Sequence, residues 1–151
     1  MKGKVLAVCI SDRRGVKRNV GSCKFIANHG LEGDVHSGEG HRQVSLLSKE
    51  SIDRIKGEGL TVSPGDFGEN IVMEGISVHE ISAGSRIKIG NALLEVTQIG
   101  KECHTGCEIY KQRGKCIMPK EGIFASVLTG GIIKEGDAIG LRNETKSQNL
   151  D

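Results

Sequence analysis

Gly84-Ser85-Arg86-Ile87-Lys88-Ile89-Gly90 reads as a glycine turn feeding a short strand, and Leu93-Leu94-Glu95-Val96-Thr97-Gln98-Ile99 follows it as a second β-like run. The first form returns near the end of the chain as Gly136-Asp137-Ala138-Ile139-Gly140-Leu141. Working outward, similar short apolar runs occupy Lys4–Ile10, Ser22–Ala27, Gln43–Leu47, Asn70–Met73, Ile123–Leu128 and Ala138–Arg142. Many lie close together, with turn signals between them. That pattern predicts a mainly β barrel or sandwich and not a parallel βαβ sheet. Glycines at the bends let a small sheet coil and close.

One helix is expected, at Ser48-Lys49-Glu50-Ser51-Ile52-Asp53-Arg54-Ile55-Lys56-Gly57. Ser48 can cap its first turn, Glu50 suits the positive end of its dipole, and Gly57 can end it. Ile52 and Ile55, three apart, give it one apolar face.

The 151 residues suit a single domain, expected over residues 1–142, with a polar tail over 143–151. A chain of this size can bury a core without disulfide staples. Hydrophobic residues at 36% and charged residues at 26% argue against both a membrane-spanning and a disordered chain. Aromatics at 3% argue against a stacking platform for single-stranded nucleic acid. The net charge of +2 is too even for a general nucleic-acid binder, yet it allows a local basic pocket for a small anion. The apolar run Val5–Ile10 is too short for a signal peptide core, so the expected location is cytoplasmic, with no membrane partner.

Cysteines stand at 9, 23, 103, 107 and 116. An odd number without an export signal argues against a disulfide framework. Cys9 and Cys23 sit in strand-like runs and read as small buried residues. Cys103, Cys107 and Cys116 fall in the polar stretch Gly100-Lys101-Glu102-Cys103-His104-Thr105-Gly106-Cys107, continued to Cys116. With His104 they could form a zinc site, although C-x3-C is a weak zinc signal. The alternative is a reactive thiol. Lys101 and His104 beside Cys103 would raise its thiolate fraction, and the thiolate is both nucleophile and soft-metal ligand. Cys107 could then resolve an oxidised or persulfidated Cys103.

Two further segments carry chemistry. Asn28 to Ser45 interleaves glycines at 30, 33, 38 and 40 with His29, Asp34, His36, His41 and Arg42. It reads as a metal site, as an anion pocket of glycine N–H groups with the Arg42 fork, or as a connector in which Asp34 and His36 tie the loop to itself. Ser63-Pro64-Gly65-Asp66-Phe67-Gly68-Glu69-Asn70-Ile71 marks a tight turn. There Gly68 allows close approach, and Glu69 and Asn70 are either pocket groups or turn hydrogen bonders.

In order and spacing, four blocks resemble the motif series of the MOSC domain, the family named after the C-terminal domain of molybdenum cofactor sulfurases. They are Gly33-Asp34-Val35-His36, then His41-Arg42-Gln43-Val44-Ser45-Leu46-Leu47 with Glu50, then Pro64–Ile71, then Leu94–Cys103. The resemblance implies a compact, strongly coiled β-barrel with one or a few short helices. It implies binding of the pterin-based molybdenum cofactor, sulfur transfer through a persulfide on Cys103, or both. Pyridoxal phosphate binding is not expected. Under this reading Cys103 is catalytic, and Asp34, His36, Arg42, Gly68, Glu69, Asn70 and Lys101 bind the cofactor. Cys103 is also the metal ligand, with Cys107, Cys116 and His104 as further candidates and zinc as the alternative metal. The expected partners are a phosphate-bearing pterin, a sulfur donor and a molybdoenzyme acceptor. Two alternative functions are a molybdenum-dependent reductase of N-hydroxylated compounds and a non-catalytic cofactor or metal carrier. The chain has Glu102-Cys103 where many members carry Pro-Cys, and the N-terminal β-barrel domain of the large relatives is not expected in it.

Overall fold

The computed structural model describes residues 2–38, 40–100 and 117–143. Its strands are β1 (Lys2–Ile10), β2 (Arg18–Asn19), β3 (Ser22–Ile26), β4 (Gly30–Leu31), β5 (Val44–Ser48), β6 (Ile71–Glu74), β7 (Arg86–Ile89), β8 (Ala92–Ile99), β9 (Ile123–Thr129), β10 (Gly131–Lys134) and β11 (Ala138–Arg142). Two α-helices are described, α1 (Lys49–Gly57) and α2 (Met118–Glu121). No helix among the described residues is long and apolar enough to cross a membrane.

The fold is a closed seven-strand barrel. Strands pair in the order β11-β7-β8-β9-β5-β6-β1, and β1 returns to β11 through Lys2↔Gly140, Gly3↔Ile139 and Lys4↔Ala138. Closure leaves these strands without a free edge. Among the described strands only β5 and β6 pair in parallel; they are joined through α1, as a parallel connection needs a crossover. The two similar glycine-turn stretches become neighbours, with Ile139 opposite Ile89 and Leu141 opposite Ile87.

All eight apolar runs form strands, within a residue or two of the expected ends. The short strands β2, β4 and β10 carry too little pattern to stand out in the sequence. β3, β4 and β10 form a separate three-strand sheet. β4 arises inside the glycine-rich segment because Phe25 and Ile26 offer it a ladder.

The barrel is filled by Val5, Val8, Leu46, Ile71, Met73, Ile87, Ile89, Leu94, Ile123 and their neighbours. A register shift between Val5 and Ala7 turns β1. Val5 and Val8 therefore enter the barrel, while Ala7 and Cys9 pack outside with Val72 against Ile52. A second outer cluster joins Leu47 and Phe124 of the barrel wall to Ile55, Val62, Phe67, Ile117 and Met118. It is the seat of α1 and α2.

Helix α1 starts as expected: the Ser48 side chain accepts the Ser51 N–H at 3.2 Å. Such a cap is worth about 1 kcal/mol. Its last helical residue is Gly57, the expected stop, and the Glu58 N–H closes on the Ile55 and Lys56 carbonyls. Gly59, at φ +100°, then turns the chain.

Candidate functional site

The turn before β6 is built around Gly65. At φ +91° it occupies the left-handed region, and a Cβ there would stand 2.1 Å from the Lys17 carbonyl oxygen. That close approach lets Lys17 N–H donate to the Gly65 carbonyl at 2.8 Å. The Glu69 carboxylate, fully buried, accepts Gly65 N–H at 2.8 Å and Phe67 N–H at 3.1 Å. Burial pushes its carboxyl up to about 7 despite those bonds, and the nearby Asp66 charge adds to the rise. Gly68, buried at φ +80°, closes the turn onto Gly65 at 2.9 Å.

Asn70 bridges three strands. Its Oδ1 accepts Ser45 N–H at 3.0 Å, and its Nδ2 donates to the Cys9 carbonyl at 3.0 Å. Its backbone takes Cys9 N–H at 2.6 Å and gives its own N–H to Ser45 at 2.9 Å. The buried amide supplies the bonds that the ends of β1 and β5 cannot make to one another.

Asp34 and Lys17 form a fully buried ion pair, with Nζ 2.8 Å from Oδ1 and 3.0 Å from Oδ2. Asp34 also accepts the N–H of Ser11 and of His36, each at 3.1 Å. Burial alone would raise the Asp34 carboxyl; the Lys17 bonds, the Lys17 charge and the two N–H groups outweigh it and hold it below its usual range. Nζ further lies 2.9 Å from His36 Nδ1. These bonds run without a break from His36 through Lys17, Gly65 and Glu69 to the turn that sets Asn70. Asp34 thus ties its loop mainly to Ser11 and Lys17 of the loop after β1, and to His36 within its own loop. Among the described residues, no group of three or more His, Cys, Asp and Glu is placed to hold a metal.

Arg42 stands apart from this network. It is exposed, and its guanidinium carbon lies 5.7 Å from the centre of the Phe124 ring. Its chain neighbours pin the backbone. His41 Nε2 meets Gln98 Oε1 at 2.7 Å, and the Thr97 hydroxyl donates to the His41 carbonyl. Gln43, buried, accepts Val127 N–H at 3.0 Å and donates to the Gly40 carbonyl and Asn28 Oδ1, each at 3.1 Å.

Burial, then the Glu69 charge, pushes the Cys9 thiol up to about 12, and burial raises that of Cys23. Neither is primed as a nucleophile. Lys101, Cys103, His104, Cys107 and Cys116 lie outside the described residues.

The structure thus brings Asp34 and His36 together with the Gly65–Asn70 turn, and adds Ser11 and Lys17, which the sequence did not single out. Lys17 sits in Arg13-Arg14-Gly15-Val16-Lys17-Arg18, where nothing distinguishes the one buried cation from its exposed basic neighbours. Phe124 was legible only as part of an apolar strand.

The fold has close counterparts among solved structures. It aligns with the YuaD protein from Bacillus subtilis at TM-score 0.78 and 20% identity, over 95% of this chain and 97% of that one. It aligns with YiiM from Escherichia coli at TM-score 0.71 and 22% identity, over 95% and 70% of the two chains. YiiM from Geobacillus stearothermophilus gives 0.73 at 17% identity, over 96% and 77%. At such identities the likeness shows the fold alone. Among curated proteins none matches the chain. Residues 32–140 match the MOSC domain model, a span that begins two residues before Asp34 and takes in Arg42, the Gly65–Asn70 turn and Cys103. With the closed barrel and the four motif blocks in one chain, this protein belongs to the MOSC domain family, a family tied to the molybdenum cofactor.

Proposed function

We propose that this protein binds a phosphate-bearing pterin, the molybdenum cofactor, and handles sulfur through Cys103. The observation that carries the binding half is Arg42. Its guanidinium is exposed, backed by an aromatic face, and makes no salt bridge among the described residues. Such a planar fork suits a phosphate. Lys101 would add a second positive charge. The other residues fit the group indirectly. Asp34, Glu69 and Asn70 already have protein partners, so they shape the loops around a ligand; His36 is the member of that set whose side chain is substantially exposed.

When bound, the cofactor would supply a soft metal centre and a phosphate anchor. The sulfur chemistry belongs to the chain. The Cys103 thiolate attacks the terminal sulfur of a donor persulfide; its new S–S bond forms as the donor's breaks, and the donor leaves as a thiolate. Passing that terminal sulfur to a nucleophilic acceptor returns Cys103 as a thiolate, so no external oxidant or reductant is consumed. Lys101 and His104, adjacent in sequence, would favour the thiolate.

The test is anaerobic purification followed by intact-mass and elemental analysis, then exposure to a small persulfide donor. A one-sulfur adduct mapped to Cys103, absent from Cys103→Ser, supports the reading. An adduct that persists in Cys103→Ser, or none at all after the donor, overturns it. Copurified molybdenum and pterin with turnover of an N-hydroxylated substrate, and no adduct, would point instead to a reductase.

A further inference from the structure

Near its end, β8 slips in register against β9. Val96 faces Ala125 and Gln98 faces Phe124, so Thr97 is an extra residue on the β8 side. Such a bulge breaks the alternation of faces and re-aims side chains. Val96 and Ile99 both pack on the barrel core, while the side chains of Thr97 and Gln98 both turn to the exposed His41.

Gln98 reaches two ways. Its Nε2 donates to the Gly100 carbonyl at 2.7 Å, and its Oε1 meets His41 Nε2 at 2.7 Å. A carbonyl only accepts, so the amide NH2 group must face Gly100 and the amide oxygen must face His41, whose Nε2 therefore carries a proton. Gly100 is itself pinned. Its N–H donates to the Gly122 carbonyl at 2.7 Å, and at φ +75° a Cβ there would stand 2.5 Å from the Pro119 carbonyl oxygen. The Thr97 hydroxyl holds the His41 carbonyl, which belongs to the peptide bond into Arg42. On the far side of Arg42, the Gln43 N–H donates to the Ala125 carbonyl at 3.1 Å. Arg42 is thus held at both flanks by β8 and β9, while its guanidinium lies over Phe124, the residue opposite Gln98. His41 on Gln98 and Arg42 on Phe124 sit side by side across one residue pair of the ladder.

We infer that Gln98 and Thr97 are positioning residues for Arg42: by clamping the ring and the carbonyl of His41, they set the Arg42 guanidinium over the Phe124 ring, where its fork can meet a phosphate. They act through His41 and Arg42 and need not touch the ligand. An exposed arginine loses rotamer freedom when it binds, and one already held loses less, so the clamp raises affinity without adding a contact. The phosphate part of the inference rests on the pterin-binding reading above; the placement of Arg42 does not.

The first test needs no ligand. In full-length protein the Arg42 side-chain proton NMR signals, assigned by their loss in Arg42→Ala, should be displaced upfield by the Phe124 ring. Gln98→Leu keeps the bulk but removes both hydrogen bonds, and should return them toward the positions of a free arginine. Thr97→Val should do the same, whereas Thr97→Ser, which keeps the hydroxyl, should not. A wild-type Arg42 without the displacement overturns the inference, as do Arg42 signals that stay in place in Gln98→Leu. Should Gln98→Leu fail to fold, the Thr97 variants decide: equal spectra in Thr97→Val and Thr97→Ser overturn it. The second test is titration with inorganic phosphate, followed on the backbone amides of His41 and Gln43. Arg42→Ala should weaken binding, and Gln98→Leu should weaken it about two- to tenfold, the range of one hydrogen bond. Weakening in Arg42→Ala with wild-type affinity in Gln98→Leu overturns the inference. Wild-type affinity in Arg42→Ala instead removes Arg42 from phosphate binding, and the ligand-free spectra still decide its positioning.

Discussion

Lys17 Nζ lies 2.8 Å from Asp34 Oδ1 with both side chains fully withdrawn from solvent, and the pair ties the loop after β1 to the loop before β5. Removing one partner leaves the other charge buried alone, which costs about 3–5 kcal/mol. Lys17→Met and Asp34→Asn should each lower the stability measured by urea unfolding by about that amount. The double variant should recover much of the loss, because no uncompensated charge remains. Additive losses would show that the two side chains act independently.

Glu69 and Asp34 impose opposite pH dependences. The native Glu69 carboxyl is raised from 4.5 to about 7, so the folded chain holds its proton where the unfolded chain has lost it. Its contribution is fully present below about pH 4.5 and is lost as pH rises toward 7. Asp34 is lowered from 3.8, so its contribution is present above that value and is lost as pH falls below it. Stability should therefore decline between about pH 4.5 and 7, and Glu69→Gln should flatten that decline while leaving the acid limb in place. A profile that rises across this window, or one unchanged in Glu69→Gln, would mean that Glu69 does not govern it.

Gly65→Ala puts a methyl group 2.1 Å from the Lys17 carbonyl at a φ of +91°. Both faults act together, so the variant should lose more than about 1 kcal/mol by thermal or urea unfolding. Gly59→Ala makes a useful control. It shares the positive φ, at +100°, but a Cβ there meets nothing within 4 Å. It should lose less.

Arg42 is exposed and contributes mainly a cation over Phe124. Arg42→Lys and Arg42→Ala should change stability by no more than about 1 kcal/mol. Both should weaken binding of a phosphate-bearing pterin, measured by calorimetry, because lysine keeps the charge but not the fork. Equal affinity in wild type and both variants would remove Arg42 from the site.

Among the cysteines, Cys9 should react last with iodoacetamide at neutral pH, because burial and the Glu69 charge lift its thiol to about 12. Cys103 should react first and without a chelator. If Cys103, Cys107 and Cys116 are all slow until a chelator is added, the closed zinc site is the better account. Mass-resolved labelling distinguishes the two.

Much of the barrel was legible because its signals are local. Each of the eight expected strands is a short apolar run bounded by turn residues, and α1 announces itself through Ser48, Glu50 and the Ile52–Ile55 face. The motif blocks were legible for the same reason, since Asp34-x-His36 and Pro64-Gly65 are readable within a few residues.

The sequence by itself determined the strand-and-glycine rhythm, the capped helix, the resemblance to the MOSC family and the residue types of the site. Only the tertiary structure decided which of them meet. Closure joins residues 2–4 of β1 to residues 138–140 of β11, and Asn70 binds Cys9 across 61 positions. Lys17 was indistinguishable from its basic neighbours until folding placed Asp34 beside it. The physical reason is that burial and pairing are properties of what surrounds a side chain, and those surroundings are assembled from segments far apart in the chain. A local pattern can specify which way a strand faces, but whether a charge ends in water or against a counter-charge depends on loops that only the closed barrel brings together.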